Sequence, residues 1–394
     1  MPRPSFAYEA LGLHNCGLYG AGTVALACVI FLLALNPAPA RSAQPDLHTQ
    51  VEQIVVQNIA PMAAADGAGG VAVAIRINGC TFFFNYGLAE KAAKRPITSD
   101  SLFNVGSIRK IFEAVLIALG VNRGELKLDD PVAQYVTELH GAYIKRVTIG
   151  QLATHTSGLV MPPEPEPLSP RGYPLAQFID MLNKYAPGNG EAPGKQQIYS
   201  HLGYVLLQLA LEHRYGRPIT ELIQDRVTGP LGMDSTFVPE RGPHDRAIMS
   251  REFMQRAVQG YSYKGRPIGL PGNQQSDFDF PGTGQMFSSP RDLAILGAAS
   301  IQDRSDGEIS KALAATEQGV FRVSADDVQA MAWEVINTRG ITIVDKPGGL
   351  NNAQAYIGLV PAQKLGLVIL SNRGDIHPFV AARTTILPEL ARLK

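Results

Sequence analysis

Residues 103–120 read FNVGSIRKIFEAVLIALG, an apolar stretch with a serine and a lysine three positions apart near its start. The apolar residues that follow predict a buried helix beginning close to Ser107. Side chains three residues apart share one helix face, which places the Ser107 hydroxyl beside the Lys110 amine. Serine is also a common helix N-cap, and the pair alone favours a cap over a nucleophile. We expect Ser107 to cap this helix.

Strand patterns occur at both ends of the chain. Asn78-Gly79 joins two runs rich in β-branched and aromatic residues, which predicts a hairpin with a type I′ turn. Four more strand patterns lie near the C-terminus: MAWEVIN, GITIVDK, AQAYIGLV and KLGLVILSN. Largely helical patterns lie between the two groups. The sequence therefore predicts an α/β fold of the α+β type, with a central antiparallel sheet built from both chain ends, flanking helices and an inserted, mainly helical domain.

The N-terminus has the features of a secretory signal. Residues 23–35 form an uncharged apolar run, and Ala38-Pro39-Ala40 follows as a small-x-small cleavage pattern. We expect residues 1–40 to be a signal peptide that directs the protein across the inner membrane to the periplasm, with no stable membrane span after cleavage. An uncleaved anchor is the alternative.

The mature chain, residues 41–394, is predicted to be a single catalytic domain with two lobes. Residues 41–140 and 290–394 form the lobe that contains the sheet, and residues 141–289 form the mainly helical lobe. Strands at both ends and helices between them are the basis of this division.

Composition excludes several classes of function. Basic and acidic residues number 35 each, and no cluster of lysine or arginine is long enough to follow a phosphate backbone, which argues against a nucleic-acid partner. The eight histidines form no HExxH pattern, so we expect no metal and no cofactor. We expect a monomer that acts on a small molecule.

Two further motifs add chemistry to the serine and lysine. Tyr199-Ser-His precedes a helix pattern, and Lys346-Pro-Gly-Gly leads into a strand. A tyrosine serves as a base near neutral pH only where cations stabilise its phenolate, and Lys110 and Lys346 are candidates for that role. Gly348 and Gly349 suit a strand that a ligand approaches closely, although a bulge or turn is the alternative.

The ordered motifs SIRK, YSH and KPG, with LATHTSGL between the first two, resemble those of the penicillin-recognising serine hydrolases. Within that group the chain resembles the class C β-lactamases, from about Val51 to its end. Within LATHTSGL, we expect His155 to tie a loop together rather than to catalyse.

This resemblance implies a role for each motif residue. Ser107 would be the acylated nucleophile, Lys110 its immediate partner, and Tyr199 the group that passes protons to the leaving nitrogen and activates the deacylating water. The substrate would be a β-lactam, whose binding is implied for the following residues: His201, Lys346, Gly348, Gly349 and Asn351. The backbone N–H groups of Ser107 and Gly349 would form the oxyanion hole.

Three departures from the family pattern affect the expected substrate. His201 stands where the family has asparagine, and a histidine that gains a proton near pH 6.5 predicts lower activity in acid, an effect that His201→Asn removes. A histidine that points away into the packing is the alternative. Pro347 replaces a threonine and removes a hydroxyl contact to the substrate carboxylate. The stretch after LATHTSGL, VMPPEPEP, lacks the glutamine that touches the substrate side chain.

Other activities use the same residues. A penicillin-binding DD-peptidase would hold the acyl-enzyme much longer than a β-lactamase. An esterase or D-amino-acid amidase of the same fold is another alternative, although Lys346 argues against the esterases. A catalytically inactive binding protein is the least favoured, because the charged and phenolic motif residues are all present.

Overall fold

The computed structural model describes residues 46–63, 66–160, 175–188, 191–241, 247–269, 271–272, 285–301 and 307–393. The predicted signal peptide and the proline-rich stretch after Val160 lie outside these residues. The α-helices of the described residues are α1 Leu47–Asn58, α2 Arg109–Asn122, α3 Ile149–Ala153, α4 Leu175–Lys184, α5 His201–Tyr215, α6 Ile219–Ile223, α7 Gly229–Leu231, α8 Arg251–Arg256, α9 Pro290–Ile301, α10 Glu308–Thr316, α11 Pro378–Ala381 and α12 Leu387–Leu390.

The strands begin with a long hairpin and end with three long neighbours. They are β1 Gly70–Ile77, β2 Cys80–Glu90, β3 Arg95–Pro96, β4 Phe103–Asn104, β5 Glu240–Arg241, β6 Ala247–Ile248, β7 Gly260–Tyr261, β8 Pro267–Ile268, β9 Phe287–Ser288, β10 Phe321–Arg322, β11 Asp327–Gln329, β12 Glu334–Thr338, β13 Ile341–Leu350, β14 Ala353–Val360 and β15 Leu365–Ser371.

One antiparallel sheet joins the two ends of the chain. Its order is β10-β11-β12-β13-β14-β15-β1-β2-β3, so β1 lies beside β15 with Val71 opposite Ser371. Asn78 and Gly79 have φ values of 50° and 81° in the β1–β2 turn, as a type I′ turn requires. The predicted central sheet, its hairpin and its four C-terminal strands are confirmed.

Alternate residues of the sheet contact two different cores. Val71, Val73 and Ile75 of β1 pack with α1 and α12, whereas Ala72 and Ala74 face the larger core that contains α2, α5 and α9. This alternation follows from the period of two in a strand, since both faces of the central strands are covered by helices. Because every residue of α2 from Arg109 to Gly120 is buried, the helix that follows Ser107 is fixed by packing on all sides.

The middle of the chain supplies α3 to α8 and several two-residue strands. Short strand β4, directly before the serine motif, pairs with β9, with Phe103 opposite Ser288. The limits of the two predicted lobes stay a prediction. Within the described ranges, no helix is both long and apolar enough to cross a lipid bilayer.

Candidate active site

Ser107 lies in a short 3-10 turn, Gly106–Ile108, immediately before α2. The N-cap position of α2 belongs to Ile108, and no side chain caps either the turn or the helix. The prediction that Ser107 caps the helix is therefore wrong. Gly106 has φ 53° and sits against β13, where a Cβ would be 3.0 Å from the Gly349 nitrogen. This close approach brings the serine turn against the edge of the sheet and leaves the hydroxyl available for other partners.

Lys110 lies one turn along, as the spacing predicts, and its Nζ donates to Ser107 Oγ at 3.1 Å. The side chain is fully buried. Burial lowers the pKa of Lys110 to about 7, because the ammonium loses its hydration; the charge of Glu113 opposes this shift and that of Arg109 adds to it. Near neutral pH, a substantial share of the lysine is thus an uncharged amine able to accept the serine proton.

Arg109 and Glu113, which flank Lys110 in α2, form a buried ion pair. Arg109 Nε donates to Glu113 Oε1 at 2.8 Å, and Arg109 Nη2 donates to Gln208 Oε1 of α5 at 2.6 Å. This group was not predicted from the sequence, although the arginine and glutamate are four positions apart on one helix face. The pair joins α2 to α5 and so fixes the two helices that follow Ser107 and Tyr199.

Tyr199 reaches the serine from the loop before α5. Its hydroxyl donates to Ser107 Oγ at 2.7 Å, although the two residues are 92 positions apart in the chain. The Nζ atoms of Lys110 and Lys346 lie 5.4 Å and 4.9 Å from the centre of the Tyr199 ring. Ser200 caps α5 by accepting from the Gly203 N–H at 3.3 Å. This hydrogen bond fixes the start of the helix directly after Tyr199.

His201 is the first residue of α5 and its ring meets the Tyr199 ring edge to face, with centroids 5.4 Å apart. Burial, followed by the charges of Lys110 and Lys346, lowers the pKa of His201 to about 3. The imidazole is therefore neutral throughout the range in which the protein is expected to work. This neutral state argues against protonation of His201 near pH 6.5, and the predicted effect on activity stays a prediction.

Strand β13 carries the third motif along an edge of the sheet. Its pairing with β12 ends at Asp345, so the residues from Lys346 to Leu350 pair with β14 alone. Pro347 lies opposite Tyr356 and has no N–H to exchange, which makes this a pair without mutual hydrogen bonds. Two residues on, Gly349 lies opposite Gln354, and its nitrogen faces Gly106, whose added Cβ would lie 3.0 Å from it.

Gly348 allows this edge to approach the serine turn, whereas a Cβ on Gly349 would meet the Gln354 side chain. A Cβ on Gly348 would lie 2.3 Å from the Val105 carbonyl oxygen and 3.2 Å from the Ser107 nitrogen. The Lys346 side chain is almost fully buried. Asn351 stands in the turn between β13 and β14, two residues beyond Gly349. The structure thus brings Ser107, Lys110, Tyr199, His201, Lys346, Gly348 and Gly349 into one neighbourhood, and the role of Asn351 stays a prediction.

A serine hydroxyl held between an amine and a phenol, beside the free edge of a strand, defines a serine hydrolase site. Comparison with known proteins narrows the class. A protein-family model described as Beta-lactamase matches residues 55–391. The chain belongs to the beta-lactamase family.

Relatives and solved structures agree with this assignment. A beta-lactamase of Pseudomonas fluorescens is 28% identical over 359 residues, covering 82% of this chain and 94% of the relative. A beta-lactamase of Yersinia enterocolitica is 26% identical over 365 residues, covering 84% and 88%. A structure described as a class C beta lactamase superposes with a TM-score of 0.74 at 25% identity, covering 86% of this chain and 98% of the other. The resemblance to class C β-lactamases is confirmed.

Proposed function

We propose that this protein is a serine β-lactamase of the class C type, which opens the β-lactam ring through an acyl-enzyme on Ser107. The observation that carries the proposal is the position of Ser107 Oγ, 3.1 Å from Lys110 Nζ and 2.7 Å from Tyr199 Oη. The family assignment and the similarity to class C enzymes support the same activity.

The proposed acylation begins with Lys110 as an amine. Ser107 Oγ attacks the lactam carbonyl carbon while its proton passes to Lys110. The carbonyl oxygen becomes negatively charged, and the N–H groups of Ser107 and Gly349 stabilise that charge. When the C–N bond breaks, the leaving nitrogen takes the phenol proton of Tyr199, which is left as a phenolate while Lys110 keeps the serine proton. The product is an ester between Ser107 and the opened ring.

In the proposed deacylation, Tyr199 draws a proton from a water molecule that attacks the ester carbonyl. The bond to Ser107 Oγ breaks, the serine regains its proton from Lys110, and the opened acid leaves. Lys346 and Asn351 hold the carboxylate of the substrate in both steps, and His201 contacts its amide side chain as a neutral ring. Pro347 offers no hydroxyl to the carboxylate, which distinguishes this site from the family pattern.

The setting of this activity is also proposed. The apolar run and cleavage pattern before residue 41 support export to the periplasm, and the relatives are bacterial beta-lactamases. We propose a monomer, because the predicted chemistry uses residues of one chain. Gel filtration with light scattering at micromolar concentration tests this directly, and a mass of two chains contradicts it.

Steady-state hydrolysis of a penicillin and a cephalosporin tests the activity. We expect turnover by the wild type and by Ser324→Ala, a control in the exposed turn between β10 and β11. Ser107→Ala is expected to lose at least about a thousandfold of kcat, because no other group here replaces the nucleophile. Turnover that survives in Ser107→Ala rules out the proposed acyl-enzyme.

A further inference from the structure

His155 holds the chain on both sides of Tyr199. The Ile198 N–H donates to the His155 carbonyl oxygen at 2.8 Å, and the Ser200 N–H donates to His155 Nδ1 at 3.2 Å. One histidine therefore binds the residue before the tyrosine through its backbone and the residue after it through its side chain. The Gly194 N–H donates to the neighbouring Thr156 carbonyl at 2.7 Å, which ties the start of the same loop to the same turn.

The histidine ring also supports the tyrosine ring. The centroids of His155 and Tyr199 are 4.3 Å apart at an interplanar angle of 38°, and His155 lies 5.2 Å from the Tyr204 ring. His155 is fully buried, whereas Tyr199 is 42% exposed. Solvent thus reaches much of the phenol, and the histidine packs against its buried side. Full burial also keeps His155 from touching a substrate directly.

This arrangement requires a neutral imidazole with its proton on Nε2, since Nδ1 accepts from Ser200. Burial holds the pKa of His155 well below its usual range, and the charges of Lys346, Lys110 and His201 lower it further. The residue adopts φ 55°, a left-handed conformation that is uncommon for side chains other than those of Asn, Asp and His. Backbone conformation and side-chain hydrogen bond together restrict what this position accepts.

We propose that His155 is a positioning residue that holds the Tyr199 hydroxyl at hydrogen-bond distance from Ser107 Oγ. The inference rests on the proposed function, in which Tyr199 transfers protons. A displacement of about 1 Å at a reacting group costs about a hundredfold in rate, so loss of this support lowers acylation without removing any catalytic group. The sequence predicts only that His155 holds a loop in place. The proposal adds that this loop carries Tyr199 and that His155 sets the position of its hydroxyl.

Two substitutions separate the acceptor from the ring. His155→Phe keeps an aromatic ring against Tyr199 but leaves the Ser200 N–H without its acceptor. His155→Asn loses the ring but keeps an acceptor near the Nδ1 position and tolerates positive φ. We expect His155→Phe to reduce the rate constant of acylation by about 10- to 100-fold and His155→Asn to retain most of the wild-type rate. Circular dichroism and thermal unfolding identify any variant that is not folded.

A double-mutant cycle with Tyr199→Phe distinguishes positioning of Tyr199 from a general structural effect. Acylation by a penicillin is followed by intact mass, which measures slow variants over hours. We expect His155→Phe to change the rate less than about threefold once the Tyr199 hydroxyl is absent. Equal losses in both backgrounds, or a wild-type rate in folded His155→Phe, overturn the inference. If wild-type protein itself is not acylated, the proposed function fails instead.

Discussion

A buried ion pair behind the third motif gives the sharpest prediction about stability. Arg383 Nε and Nη2 donate to the two carboxylate oxygens of Asp345 at 2.7 Å and 2.8 Å, and the Tyr356 hydroxyl donates to Asp345 at 2.7 Å. Asp345 is fully buried and immediately precedes Lys346. Arg383 also donates to Glu334 at 2.7 Å, but that carboxylate is partly exposed. Arg383 therefore balances the negative charge of the buried Asp345 carboxylate in β13, directly before Lys346.

Substituting Arg383→Met removes the charge and keeps most of the side-chain volume. Asp345 is then a buried carboxylate whose remaining donor in this network is Tyr356, and breaking a buried pair in this way costs about 3–5 kcal/mol. The contact with Glu334 adds no more than about 1 kcal/mol. We expect the free energy of unfolding at pH 8, measured by urea denaturation, to fall by about 3–5 kcal/mol. Arg322→Met, on the exposed side of β10, is the matched control and is expected to change it little.

The loss depends on pH in a defined direction. Burial raises the pKa of Asp345, and the guanidinium of Arg383 opposes that rise. Without Arg383 the folded-state pKa rises further above the unfolded value of about 3.9, so the variant loses stability as the pH increases and regains it in acid. We expect a smaller difference from wild type at pH 5 than at pH 8, and most of the loss restored by adding Asp345→Asn. A loss below about 1 kcal/mol, or one independent of pH, refutes the reasoning.

Three predictions concern the site itself. Gly348→Ala places a Cβ 2.3 Å from the Val105 carbonyl oxygen, which forces β13 and the serine turn apart. We expect acylation to be at least about a hundredfold slower in stopped-flow assays. Gly188→Ala, whose Cβ would meet no atom within 4 Å, is the control and is expected to match wild type. Because the pKa of Lys110 is lowered to about 7 by burial, the acylation rate is expected to fall below that pH as the amine gains a proton; a flat profile from pH 5 to 9 contradicts this. Because burial lowers the pKa of His201 to about 3, His201→Asn is expected to leave the shape of the kcat/KM profile between pH 5 and 8 unchanged, and a change of shape near pH 6.5 restores the earlier hypothesis.

Local patterns predict much of the fold because they are set by nearest neighbours. Asn78-Gly79 specifies its turn through positive φ. The nearly continuous apolar run of β1 is typical of a strand that is buried on both faces. The spacing of Ser107 and Lys110 is equally local, since both belong to one turn of chain. These features need no knowledge of the rest of the molecule.

Other features arise only from contacts between distant segments. The 3-10 geometry at Ser107 depends on Gly106 lying against Gly349, so the preference of serine for helix caps does not decide it. The low pKa of His201 comes from burial beside two lysines of other motifs. The two hydrogen bonds that hold the chain around Tyr199 join His155 to Ile198 and Ser200, more than forty positions away. Sequence spacing does not reveal these contacts.

The central claim, that Ser107 forms an ester that is then hydrolysed, is tested most directly by a quenched intact-mass time course. Purified wild-type protein is mixed with excess cephalosporin, and the adduct is mapped by peptide digestion. We expect an adduct on the peptide that contains Ser107, its disappearance once the drug is consumed, and no adduct on Ser107→Ala. An adduct that persists after the drug is removed contradicts β-lactamase turnover and indicates a penicillin-binding peptidase, and an adduct on another residue contradicts the role of Ser107.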